Sequence, residues 1–289
     1  MNLIFIHGRD QQGKNPQELQ TQWEEALERG WSNAGLSRPN NLNVIFPFYG
    51  DKLIELMEVL ETPLVADVTT RGAAPDTKEA SLRGEMLAEL AENAGITDED
   101  IKAHYSGQAV EKGPLNWEWI QAILRALDST PMGEATLDLF TRDVYVYLTN
   151  RAIRKAINKI IKDKFNGEPC VVVGHSLGTV VLYNVLRELG SQANAKYCMT
   201  LGSPLGIKAI KRLLVPPALA MPTGVLEWFN AYDERDVVAL RPLDSEVFPI
   251  DPSVRNKSDV DNHTDNRHGI VGYLDDREVA QWIYNALTQ

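Results

Sequence analysis

Cys170-Val-Val-Val-Gly174-His175-Ser176-Leu177-Gly178-Thr-Val-Val-Leu182 is the stretch on which the fold turns. Its first four residues carry no polar interruption, as expected of a central parallel strand covered on both faces. An apolar helix through about Leu189 follows directly. Between them, a glycine two residues before the serine and another two after it allow a sharp strand-to-helix turn. Such a turn exposes the serine and faces the following amide at the helix N-terminus. A serine hydroxyl is a weak nucleophile at neutral pH. It needs an unhindered approach, a base within hydrogen-bond reach and donors for the oxyanion that forms. The turn offers the first and one of the donors, from Leu177. The five-residue spacing alone also fits an ordinary glycine-rich turn, and the flanking strand and helix favour the nucleophile.

Upstream, Asn2 to Ile6 reads as a strand ending in His7-Gly8, and Gln17 to Ala34 as a helix with Leu19, Trp23, Ala26, Leu27 and Trp31 at helical spacing. Leu42 to Phe46 reads as a second strand, stopped by Pro47. More than a hundred residues separate it from the strand at Cys170, whereas a crossover needs about a dozen or more. Arg142 to Lys164 predicts the crossover helix, its stripe Ile153, Ile157, Ile160 and Ile161 set against a basic face. The rest of the interval, 50–140, predicts a helical cap, with amphipathic stretches at Leu82 to Ala91 and Trp117 to Leu127. Residues 1–49 and 141–289 would then form the core. Downstream, Lys196 to Leu201 and Val225 to Tyr232 predict strands, and Asp276 to Leu287 a last amphipathic helix. The expected class is α/β, a mostly parallel central sheet flanked by helices.

The motif in this setting resembles the α/β-hydrolase fold family, in particular compact lipase-like and esterase-like members with a Gly174-His175-Ser176-Leu177-Gly178 elbow. His7-Gly8 and Leu201-Gly202-Ser203-Pro204-Leu205 add to the resemblance, which spans the chain apart from the cap. It implies a second oxyanion donor in the loop after the first strand, at Gly8 or Arg9. Read alone, His7-Gly8 also suits a simple tight turn. The family order of serine, acid and histidine puts the acid after the strand ending at Tyr232. Asp233, Glu234 and Asp236 are the candidates there. Asp236-Val237-Val238 is similar to the acid-x-Val pattern of the family, which favours Asp236, with Asp233 its competitor. Only His263 and His268 follow. His268, ahead of the last helix, matches the family's placement, and His263 reads as a solvated loop residue. The departure is that no apolar strand lies close before His268; Glu246 to Ile250 is the only candidate.

Composition narrows the function classes. With 44% hydrophobic and 24% charged residues the chain is an ordinary globular one. A net charge of −11 argues against nucleic acid as partner. No apolar run approaches the ~20 residues of a membrane span, and the start of the chain shows no secretion signal. Cys170 and Cys198, both in apolar strands, read as reduced buried thiols, which points to the cytoplasm. No metal-ligand spacing is present, and no cofactor is expected. Leu213 to Val225 suits either an apolar flap or a packed crossover. The expectation is a serine hydrolase cleaving a carboxylic ester through Ser176, His268 and Asp236. Thioester or amide cleavage and acyl transfer on the same residues are the nearest alternatives, and a non-catalytic binding module of this fold is the rival of another class. The substrate is a small acyl compound; the oligomeric state is left open.

Overall fold

The computed structural model describes residues 1–61, 77–105, 113, 117–214, 216 and 218–289. Six strands form one sheet: β1 (Asn2–Ile6), β2 (Asn43–Ile45), β3 (Cys170–His175), β4 (Ala195–Leu201), β5 (Glu227–Ala231) and β6 (Arg255–Lys257). Their order is β2-β1-β3-β4-β5-β6 and every neighbouring pair is parallel. Because side chains alternate across a strand, the central strands feed two apolar layers. Ile4, Ile6, Val172 and Cys198 face one, and Leu3, Phe5, Val171 and Val173 the other. That is why β3 is apolar at four consecutive positions.

The second layer is closed by α1 (Pro16–Asn33), α10 (Ile270–Leu274) and α11 (Arg277–Thr288). Asn15 caps α1 and Asp276 caps α11 through side-chain oxygens that accept backbone amides, each cap contributing about 1 kcal/mol. The Trp31 indole of α1 donates to the Ala280 carbonyl of α11 at 3.0 Å, so the two helices are pinned together. On the other face lie α2 (Gly50–Glu61), α3 (Thr77–Asn93), α4 (Asp98–Ala103), α5 (Trp117–Leu127), α6 (Glu134–Thr149), α7 (Arg151–Lys162), α8 (Leu177–Leu189) and α9 (Lys208–Leu213). One continuous apolar cluster joins Val172 and Leu182 of the sheet side to Phe140, Ile123 and Leu87 of the interval between β2 and β3.

Two elements differ from the sequence expectation. The stretch Arg142 to Lys164 is not one helix. α6 begins at Glu134, so the expected boundary at 140/141 falls inside it, and Asn150 ends α6 and caps α7. An asparagine whose side chain accepts the Ala152 and Ile153 amides supplies a new helix start where the apolar stripe alone reads through. The last strand is Arg255–Lys257, not Glu246 to Ile250, which is a turn. Two exposed residues in a three-residue edge strand give no hydrophobic signal. Parts of the helical interval, residues 62–76, 106–112 and 114–116, lie outside the described residues. Among the described residues, no helix is long and apolar enough to cross a membrane.

Candidate functional site

The carboxyl ends of parallel strands are where α/β sheets bring loops together, and the loops after β1, β3, β5 and β6 meet here. β3 turns into α8 at Ser176, whose φ of 54° and ψ of −130° are unusual for a residue with a side chain and cost roughly 1–3 kcal/mol. The surroundings demand glycine next to it. A Cβ on Gly178 would sit 2.3 Å from the Ile6 carbonyl oxygen, and one on Gly8 would sit 2.8 Å from the Ser176 Cβ. The elbow and the loop after β1 are thus in direct contact.

Ser176 Oγ lies 2.8 Å from His268 Nε2, and His268 Nδ1 lies 2.7 Å from Asp236 Oδ2. All three residues are buried, Asp236 completely. With a carboxylate at Nδ1, that nitrogen carries the proton, and Nε2 accepts from the serine hydroxyl. Asp236 Oδ2 also accepts the Tyr273 hydroxyl at 2.6 Å, and Oδ1 accepts the Val238 amide at 3.1 Å. Burial and the adjacent Asp236 charge hold the Tyr273 phenol well above its ordinary range, so it remains a donor. The His268 backbone is fixed as well: its amide donates to Asn266 Oδ1, and its carbonyl accepts the ring Nε2–H of His175 at 2.7 Å. Burial, reinforced by the neighbouring His268, pushes His175 well below the usual imidazole value. The elbow histidine is therefore neutral, a packing and hydrogen-bonding residue against the loop of His268.

The competing residues sit elsewhere. Asp233 Oδ1 accepts the Arg235 amide at 2.7 Å, and Oδ2 accepts the Asn262 amide at 2.9 Å, so this carboxylate ties two loops together. His263 is exposed and pairs with Asp275 at 2.8 Å. His104 ends α4. His7 is stacked on Tyr49 with centroids 4.0 Å apart. Its Nδ1–H donates to the Gly8 carbonyl, and its Nε2 accepts the Tyr49 amide at 3.0 Å. Burial lowers its pKa to about 4. Among the described residues, neither the Arg9 amide nor the Leu177 amide has an acceptor.

Ser176, His175 and His268 open onto a cavity of about 310 Å³. Its walls come from two sources. Gly8, Arg9 and Gln11 of the β1 loop, Trp23 of α1 and Ile270 belong to loops and helices of the sheet, whereas Met132, Thr136 and Phe140 come from the interval between β2 and β3. The described part of 213–225 lines none of this cavity; Ala220 accepts the Tyr183 hydroxyl and Arg187, which anchors the segment along α8. Cys170 and Cys198 are free and buried, and burial pushes the Cys170 thiol up to about 12. Among the described residues no group of three or more His, Cys, Asp or Glu is arranged to hold a metal ion. Tyr273 of α10 and Asp143 of α6 carry no motif in the sequence that would single them out. Comparison with protein-family models, curated proteins and solved structures found no match to this chain.

Proposed function

We propose that this chain is a serine hydrolase of the α/β-hydrolase type that cleaves small carboxylic esters. The observation that carries the reading is the chain of short contacts from Ser176 Oγ through His268 to Asp236, starting at a strained turn between a strand and a helix. A buried Ser-His-Asp series with the serine at a cavity has no need of that strain for packing alone.

In this mechanism His268 Nε2 takes the hydroxyl proton as Ser176 Oγ attacks the ester carbonyl carbon. Asp236 keeps the imidazole in the required tautomer and balances the imidazolium that forms, while Tyr273 and the Val238 amide hold Asp236 in turn. The unoccupied amides of Leu177 and Arg9, with Gly8 giving the room, stabilise the oxyanion. Collapse expels the alcohol with the proton from His268, leaving an acyl-enzyme. A water, deprotonated by His268, then attacks the acyl carbon and releases the acid and Ser176. No step calls on a cofactor.

A cavity near 310 Å³ is at the small end of ligand pockets, which favours short acyl chains. Residues 50–140 act as a cap in this reading, supported by Met132, Thr136 and Phe140 along the cavity. The free, buried thiols support a reducing compartment such as the cytoplasm. The test is labelling with a fluorophosphonate probe together with turnover of p-nitrophenyl esters from acetate to palmitate, beside thioester and amide analogues. We expect one label, lost in Ser176→Ala, and turnover highest for short esters. No labelling and no turnover would leave a binding module of the same fold.

A further inference from the structure

We propose that Asp143 of α6 is a positioning residue that sets the oxyanion loop through Arg9, so that the interval between β2 and β3 aligns the reaction as well as walling the cavity. The inference rests on the hydrolase reading above. Asp143 has a side chain only 2% exposed, in the middle of a helix, a costly place for a carboxylate unless it is paired. Its Oδ2 accepts Arg9 Nε at 3.0 Å, and its Oδ1 accepts Arg142 Nε at 3.2 Å and Nη2 at 3.1 Å. Arg142 is its helix neighbour; Arg9 comes from the loop after β1, 134 residues earlier in the chain.

The loop that bears Arg9 has few supports of its own. Gly13 N–H donates to Asp51 Oδ1, Lys14 N–H to the Gln11 carbonyl, and Gln11 Nε2 to the Arg9 carbonyl at 2.8 Å. Arg9 is therefore held at its carbonyl and at its guanidinium, while its amide is left without an acceptor among the described residues. A donor contributes to an oxyanion hole only when it is fixed before the charge develops. Phe140, which lines the cavity, stands three residues before Asp143. Positions at that spacing are neighbours on a helix surface, so the same stretch of α6 meets the substrate and grips the loop.

The test compares parent, Arg9→Gln, Asp143→Asn and the double variant on p-nitrophenyl acetate. Binding of a short alkylboronic acid, whose tetrahedral adduct places an oxygen in the oxyanion hole, is measured alongside. Each single change is expected to lower kcat about ten- to hundredfold, within the range for a misplaced group or donor. KM should move by less than about twofold, and the pH dependence of kcat/KM should keep its parental midpoint, because His268 and Asp236 are untouched. Boronate affinity should fall by the same factor as kcat/KM, and the double variant should be no worse than the poorer single one. If Asp143→Asn does not fold, Arg9→Gln decides alone. Unchanged kcat in Arg9→Gln, a loss confined to KM, or multiplying losses in the double variant would overturn the proposal. A parent that does not turn over, or a Ser176→Ala variant as active as the parent, would instead overturn the hydrolase reading.

Discussion

The two walls of the Ser176 cavity are built on different physics. On the sheet side, positions are fixed by buried polar contacts: His268 alone is held at its amide, its carbonyl and both ring nitrogens. Across from it, the wall is made of Met132, Thr136 and Phe140; Met132 and Phe140 belong to the large apolar cluster, and among the described residues none of the three hydrogen-bonds a site residue. Polar networks lose function steeply when one member is removed, because the partners are left unpaired. Apolar walls change by volume and tolerate exchange. The polar contacts, that of Asp143 with Arg9 among them, should therefore govern whether the reaction occurs, and the side chains of Met132, Thr136 and Phe140 which substrate is accepted.

Ser176→Ala is the strongest way to break that division. In the proposed mechanism, losing the nucleophile leaves only what binding and the oxyanion donors supply, and we expect kcat to fall by about 10⁴-fold or more with the Tm held or raised. A variant with near-parental turnover would remove Ser176 from its role. Asp236→Asn comes next, with a kcat loss of about 10²–10⁴-fold through the wrong imidazole tautomer. Asp233→Asn, three residues away and equally buried, should act on Tm far more than on kcat, since its oxygens serve Asn262 and Arg235. Equal kcat losses in the two would erase the distinction between them.

On the α6 wall, Phe140→Ala should leave turnover of acetate within a few fold and raise the relative rate on longer acyl chains by about tenfold or more, the range that one or two methylenes command in a pocket. An unchanged chain-length profile would separate α6 from selectivity. The smallest effect concerns acid. His7 and His175 are held below the ordinary imidazole value by burial, His7 at about 4, so as the pH falls below about 6.5, and for His7 down to about 4, the unfolded chain binds protons that the folded one does not. Their contribution to stability is present above pH 6.5 and is lost as the pH falls through that window. Tm measured from pH 7.5 to 4.5 should drop, with a shallower slope in His7→Gln. A slope equal to the parent's would show that His7 does not titrate on unfolding.

Legibility in the sequence followed the range of the forces involved. β3 and the turn at Ser176 are set by neighbours in sequence, and there the apolar run and the glycine spacing sufficed. Asp236 and His268 were picked by resemblance and chain order, because the contact between them joins residues 32 apart and leaves no local trace. Tyr273 and Asp143 had no pattern to betray them: a buried tyrosine near a helix start reads as core, and an acid in a helix reads as surface. β6 was missed since an edge strand with exposed polar side chains owes its existence to backbone pairing with β5. The break at Asn150 shows the reverse case, a cap residue outweighed in reading by the apolar stripe on either side of it.

The distance along the chain between serine and histidine has a consequence for biosynthesis. Ninety-two residues separate Ser176 from His268, and β4, β5 and β6 are all made in between. A ribosome-bound chain extended only to residue 267 already contains Ser176, Asp236 and all six strands of the sheet, yet lacks the imidazole that lies against the Ser176 hydroxyl. On the proposed reading, reactivity is withheld from the nascent protein until every strand of the sheet around the serine has been made.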